Sequence, residues 1–404
     1  MPRLIGPFHQ LLSLANAPLS GPLSSDNLDI IENAGILVEG GNVVAVGNFN
    51  VLAKEASEID EIARKAIGLP GFIDAHTHLI WGGSRERDFE RRNSGMSYQE
   101  ILDEGGGIFE TVGMTRKATE SELAAGLKSR AIRHLTAGVT TIEVKTGYGL
   151  NEEDELRMLR TIQAVQAELP VDLQSTFLGA HVCPKEFDRD EYLDFLATDL
   201  LPIIKSEGLS NRVDIFIEAE AFDASLARPY LAKAKALGFD ITAHAGQFSP
   251  DGVAVAVEMG ARSADHLETI SAEEVRMLAK SKTAAVALPG ASLGLGMPFT
   301  PCRKLLDAGA SVVIATDWNP GSAPMGDLLT QSAVLATYEK LSAAEVFAGI
   351  TYRAGNALNL TDRGRLIVDQ VADIVAFEAD DFREILYYQG SLRPFGVWKR
   401  GYQI

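Results

Sequence analysis

Through the middle of the chain, short apolar runs rich in β-branched residues alternate with longer stretches whose apolar residues recur at helical spacing. Eight runs predict strands: GFIDAHTHL (71–79), TTIEVKTGY (140–148), DLQSTFLGAH (172–181), DIFIEAEAF (214–222), DITAHAG (240–246), RSADHLE (262–268), TAAVALPGA (283–291) and SVVIATDWN (311–319). Stretches such as SELAAGLKSRAIRHLTAG and DELRMLRTIQAVQAEL fall between them and predict amphipathic helices. Eight strand–helix units in succession predict an α/β fold, a (β/α)₈ TIM-like barrel, over residues 67–362.

The two ends follow a different pattern. Residues 1–66 carry short strand patterns, notably GILVEGGNVVAVGNF with a Gly-Gly turn signal, and 363–404 contain ADIVAFE and FGVWKRG. Neither end has enough apolar surface to stand alone. Together they predict a composite β-sandwich domain beside the barrel. The opening MPRLIGPFHQLLSLANAPLSG has a short apolar stretch, but the His9-Gln10 interruption and the strand-like pattern argue against a signal peptide.

With 46% hydrophobic and 23% charged residues, the 404-residue chain has the balance of a globular protein. No run of about 18 apolar residues is present, so no transmembrane helix is expected. A net charge of −18 disfavours nucleic acid and anionic membranes as partners. A small anionic substrate would need a locally basic pocket against that background. The two cysteines, Cys183 and Cys302, form no disulfide framework or zinc-finger spacing, which fits a reducing cytoplasm.

Chemistry concentrates on one rim of the predicted barrel. His76 and His78 are two apart on a strand, so both side chains face the same way. Five of the seven histidines (His76, His78, His181, His244 and His266) fall at or near strand ends, as does Asp317. Active sites of such barrels sit at the C-terminal ends of the strands, and convergent His and Asp there point to a metal site. His9 and His134 lie elsewhere and are expected to be structural.

PGFIDAHTH, ITAHAG, SADHLE and ATDWNPGS resemble the metal and catalytic motifs of the amidohydrolase superfamily. GGSRERDFE, VKTGYGL, LGAH and LPGASLGLG add a resemblance to the branch that opens the lactam of 4-imidazolone-5-propanoate in histidine degradation. What the resemblance implies is a metal-dependent hydrolase, soluble and homodimeric. Its metal, Zn²⁺ or Fe²⁺/Fe³⁺, would be held by residues matching His76, His78, His244 and Asp317. Three imidazoles and a carboxylate leave an open position, as a catalytic site requires. Binuclear members bridge their metals with a carboxylated lysine on the fourth strand. DIFIEA has none, and Lys145 is on the second strand, so one metal is expected.

By the same resemblance Asp317 moves the proton and His266 polarises the carbonyl. Arg85 clamps the substrate's propanoate, a task suited to a planar guanidinium. Its neighbours Arg87, Arg91 and Arg92 belong to a mixed-charge run expected to be a solvated face. Tyr148, His181 and Gln247 resemble substrate contacts, and Asn319, Gly321 and Ser322 border the same site. Pro320 and Gly321 also read as an ordinary tight turn. Gln247 stands where superfamily deaminases carry a proton-donating glutamate, which weighs against a deaminase. A deaminase or cyclic amidase acting on another heterocycle is the alternative, and a non-catalytic barrel is the remaining one. The glycine-rich DEGGGIFETV (103–112) lacks a dinucleotide fingerprint and reads as a flexible segment near the mouth, a candidate lid.

Overall fold

The computed structural model describes residues 1–96, 100–101 and 104–404. Both chain ends build one mixed sheet of eight strands: β1 (Arg3–Leu12), β2 (Ile30–Glu39), β3 (Asn42–Asn48), β4 (Glu58–Glu61), β5 (Ala66–Pro70), β14 (Ile374–Glu378), β15 (Gly396–Lys399) and β16 (Tyr402–Gln403). The ladder that joins the ends is antiparallel, from Ala66↔Glu378 to Pro70↔Ile374. The sheet folds over on itself, so that Trp398 on β15 meets the edge of Phe8 on β1 at 6.5 Å and donates its indole N–H to Asp60 on β4 at 2.7 Å. Phe8, Ile36, Ile374 and Trp398 belong to one apolar core that the fold encloses.

The remaining strands form a parallel barrel: β6 (Phe72–Asp74), β7 (Val139–Lys145), β8 (Asp172–Ala180), β9 (Arg212–Ile217), β10 (Asp240–Ala245), β11 (Ser263–His266), β12 (Ala284–Ala287) and β13 (Val312–Ile314). They neighbour one another in chain order, and each of the eight predicted runs overlaps one of them, although β7 begins at Val139 and β9 at Arg212, ahead of the runs predicted from 140 and 214. Helices cover the outside, so strands such as β7 are buried along their whole length. The helix Glu120–Thr136 shows the local logic. Thr119 and Glu122 make a reciprocal capping box, and Leu123, Leu127, Ala131 and Leu135 turn one face inward.

The first and last strands close the barrel without a regular ladder. Asp317 N donates to His76 O and His78 N to Trp318 O, each at 3.0 Å, with a parallel bridge between Thr77 and Trp318. The predicted strand 71–79 therefore ends its regular pairing at Asp74, and the HTH segment is held by this seam. His134 is buried in its helix, 3.1 Å from Asp74 and edge-on to Trp318, a structural position like that of His9 on β1.

Candidate active site

The seam sets the HTH pair beside the carboxylate of the last strand. Asp317 Oδ1 is 3.5 Å from His76 Nε2 and 3.3 Å from His78 Nε2. Asp317 has a φ of 52°, a left-handed conformation that Asp tolerates better than most residues. His244, near the end of β10, brings its ring to 4.5 Å from His76. His266 ends β11 with a φ of 83°, its ring 5.2 Å from His244. All five side chains are buried.

Whether these residues suit a cation can be judged from their unpaired atoms. His76 Nε2, His244 Nε2 and Asp317 Oδ1 are buried without a hydrogen-bond partner, although His76 and Asp317 are close. Buried polar atoms are rarely left unpaired. Ligand atoms of His76, His78 and Asp317 lie within 4.8 Å of one another, and so do those of His76, His244 and His266. The two groups share His76, and the second joins His244 to His266 rather than to Asp317; imidazole and carboxylate donors of this kind suit zinc or iron.

A second layer of carboxylates aims the imidazoles. Asp265 on β11 sits 2.6 Å from His76 Nδ1, and Asp214 on β9 sits 3.0 Å from His244 Nδ1, which leaves each Nε2 facing the centre. Lys145 Nζ lies 2.8 Å from Asp214, 2.9 Å from Glu143 and 3.8 Å from Asp265. Burial opposes its charge, but Asp214 and Glu143 together more than restore it and raise its pKa.

Electrostatics divide the histidines. Burial lowers His244 to about 3 despite Asp214, and burial likewise lowers His78 and His181. Burial and Lys145 also act against a proton on His76. Its contacts with Asp265 and Asp317 outweigh them and push it up to about 9. Burial alone would raise Asp317, yet His76 and His78 hold it well below the usual carboxylate range.

Above this centre opens a cleft of about 720 Å³ including its mouth. His78, His244, His266 and Asp317 form its floor, whereas His76 lies behind them. Tyr148 and His181 share one wall, their rings 5.6 Å apart. Gln247 lines the cleft, and so do Asn319, Gly321 and Ser322. Asn319 shapes its own loop. Its Oδ1 accepts from the N–H groups of Gly321 and Ser322 at 2.8 Å, and its amide donates to Asp317 O at 2.7 Å. Arg85 lines the same cleft, its side chain 8% exposed and paired with Asp88. A Cβ at Gly321 would come within 2.7 Å of Arg85 Nη1, so the absence of a side chain there leaves room for the guanidinium.

Arg92, expected on a solvated face, lines the cleft instead and donates to Gly321 O at 3.1 Å. The run RERDFERR forms the helix Glu86–Asn93, whose turns carry Arg85 and Arg92 back toward the same loop. The glycine-rich segment supplies Ile108, first residue of the helix Ile108–Lys117, to the cleft wall. Asp103 of that segment lies outside the described residues. Sequence reading also passed over Phe216 on the cleft wall and the buried carboxylates Glu143, Asp214 and Asp265 around Lys145. Charged residues inside strands otherwise buried on both faces were the available signal.

The chain belongs to the amidohydrolase family, whose sequence profile matches residues 67–402. The resemblance narrows further among curated relatives. Imidazolonepropionases of Bacillus cereus (strain AH187) and Bacillus anthracis (strain A0248) are each 39% identical over 382 residues, 93% of this chain and 90% of theirs. Among solved structures, atrazine chlorohydrolase from Arthrobacter aurescens TC1 complexed with zinc superposes with a TM-score of 0.75 at 18% identity, covering 99% of this chain and 94% of that one. Guanine deaminase from C. acetobutylicum with bound guanine gives 0.71 at 16% identity, covering 100% of both chains. At such low identity these structures establish the shared fold. The family places a histidine-rich metal site in this barrel, where the five buried side chains converge.

Proposed function

We propose that this chain hydrolyses the cyclic amide of 4-imidazolone-5-propanoate to N-formimidoyl-L-glutamate, a step of histidine degradation. The observation that carries this reading is one cleft with an imidazole–carboxylate centre on its floor and the buried guanidinium of Arg85 on its wall. The similarity to imidazolonepropionases over 93% of the chain supports the substrate.

In this reading His76, His78, His244 and Asp317 hold one divalent metal ion, zinc or iron. Such an ion supplies positive charge for the carbonyl oxygen and makes water easier to deprotonate. Arg85 binds the propanoate carboxylate through the N–H groups that Asp88 leaves free and so orients the ring. Tyr148, His181 and Gln247 hold the ring, with Gln247 able to hydrogen-bond but not to act as an acid. Asp317 accepts a proton from water as the water oxygen bonds to the carbonyl carbon. His266 donates toward the oxygen that gains charge. The carbon–nitrogen bond then breaks, and Asp317 returns the proton to the leaving nitrogen. Asn319, Gly321 and Ser322 border the new carboxylate of the product.

Two further parts of the reading concern the setting. Among the described residues no helix is long and apolar enough to cross a membrane, and both cysteines are unpaired, which supports work in a reducing cytoplasm. A homodimer is the expected assembly by family resemblance. The test is turnover by purified, metal-reconstituted protein, with the product identified by mass and ammonia measured in parallel. Formation of N-formimidoyl-L-glutamate without ammonia is expected. Ammonia released from an amino-substituted heterocycle, with the imidazolone untouched, would replace this reading with a deaminase.

A further inference from the structure

Below the cleft floor, a buried cation joins residues from three barrel strands. Lys145 on β7 is fully buried, and its ammonium contacts Glu143 on its own strand, Asp214 on β9 and Asp265 on β11. The latter two carboxylates sit on Nδ1 of His244 on β10 and Nδ1 of His76 beyond β6. One nitrogen thus touches both groups that orient two imidazoles of the proposed metal centre. The same Asp265 Oδ2 that meets His76 also accepts from Thr242 at 3.2 Å, and Glu143 accepts from Thr176 at 2.5 Å. Each carboxylate therefore has a fixed place, and Lys145 is the member they share.

Charge points the same way. Glu143, Asp214, Asp265 and Asp317 put four carboxylates in this buried region, whereas Lys145 and Arg212, 3.7 Å from Glu143, supply two cations. Without Lys145, Asp214 and Asp265 would repel each other across the site and turn their histidines away.

We propose that Lys145 is a positioning residue: by holding Asp214 and Asp265 together it aims His244 and His76 at the metal ion. The inference rests on the assignment of those histidines as ligands. Its second-layer role differs from that of a carboxylated lysine, because this nitrogen is occupied by three carboxylates.

The test uses the full chain and zinc alone as probe. Lys145→Met removes a buried charge and endangers folding, so it is paired with Glu143→Gln, which restores the balance. The double variant should bind zinc about 10- to 100-fold more weakly in chelator competition, the range for lost outer-layer partners. Its cobalt-substituted form should show an altered visible spectrum. Glu143→Gln alone leaves Lys145 on both aspartates and should stay close to the unaltered protein in both measurements. Unchanged affinity and spectrum in the double variant would overturn the proposal, as would equal losses in both variants. If neither the double variant nor Lys145→Arg folds even with zinc present, Lys145 is a structural residue and the proposal falls. An unaltered protein that binds no stoichiometric zinc would instead fail at the ligand assignment, and that failure is visible before any variant is made.

Discussion

Arg85 meets Asp88 through two donors on one oxygen, with Nε at 2.8 Å and Nη2 at 2.7 Å from Asp88 Oδ2. Asp88 is itself fixed by the N–H of Gly107 at 2.9 Å. Burial alone would raise Asp88, but Gly107 and Arg85 outweigh it and keep it below its ordinary value. One edge of the guanidinium is therefore engaged by the protein. Nη1, beside Gly321, is the group that remains on the cleft side. The arginine is oriented before any substrate arrives, which lowers the ordering cost of binding.

The first prediction follows from that geometry. Arg85→Ala should lower kcat/KM by roughly 10- to 150-fold, corresponding to about 1.5–3 kcal/mol for a charge-assisted contact. Arg85→Lys should recover only part of the loss, since a lysine lacks the fork that engages Asp88 and substrate together. An analogue with a neutral amide in place of the propanoate should be a poor substrate already and should suffer little further from Arg85→Ala. Equal losses on both substrates would make Arg85 structural.

The second prediction concerns Asp317 and the metal together. Elemental analysis should find about one equivalent per chain, and chelation should abolish turnover. Asp317→Asn keeps an oxygen near the histidines but removes the proton carrier, so kcat should fall by about 10²-fold or more. Near-normal kcat in a variant shown to retain its metal would assign the proton to another group. Two tightly bound equivalents, both needed for turnover, would refute the single-ion site.

Which features were legible in the sequence follows from their range. The eight strands and the HTH pair are local patterns, so alternation and spacing reveal them before any contact is known. Asp317 was visible because a carboxylate closes an apolar run. Arg92 was not, because its contact with Gly321 O joins segments 229 residues apart, and a mixed-charge run hides one inward arginine among outward ones. The carboxylates behind the histidines were hidden for a related reason. Asp214 and Asp265 sit on separate strands, and only the barrel's register brings them to His244 and His76. The sheet of the two ends was expected from incomplete apolar patterns, but the β5–β14 pairing needed the fold to become visible.

The third prediction concerns the loop that presents Tyr148. Glu155 is buried and accepts from the N–H groups of Gly149 at 2.8 Å, Leu150 at 2.9 Å and Gly147 at 3.2 Å. These bonds wrap the KTGYGL loop around one carboxylate and set Tyr148 against His78, ring to ring at 5.8 Å. Glu155→Gln replaces an acceptor oxygen with a donor facing N–H groups. KM should rise by about 10-fold, the effect of roughly one lost hydrogen bond to a charged group, with metal content unchanged. An unchanged KM would show that Tyr148 keeps its place without the carboxylate, or that the loop does not contact substrate.

The last prediction concerns how the barrel is fastened to the sheet of the chain ends. Asp172 begins β8, and its Oδ2 is paired with both Arg363 and Lys399 from the C-terminal part of the chain. Lys399 also pairs with Asp373 at 2.5 Å, and Arg363 donates to Thr141 Oγ1 at 3.1 Å, so both cations are fixed from two sides. Partial burial would raise Asp172, but Lys399 and Arg363 reverse that and lower its pKa. A carboxyl with a lowered folded-state pKa gives stability that is fully present above the unfolded value, about 3.9. That stability is lost as pH falls through the folded-state value. Asp172→Asn should therefore lower Tm at about pH 7, where it leaves two nearly buried cations with less compensation. The gap between the two proteins should begin to narrow as pH drops below about 4 and should close below the folded-state value, where both carry a neutral side chain at this position. Melting curves recorded across that range give the answer. A Tm gap that stays constant through the acid range would mean that the variant acts through shape alone, with no contribution from the charge of Asp172.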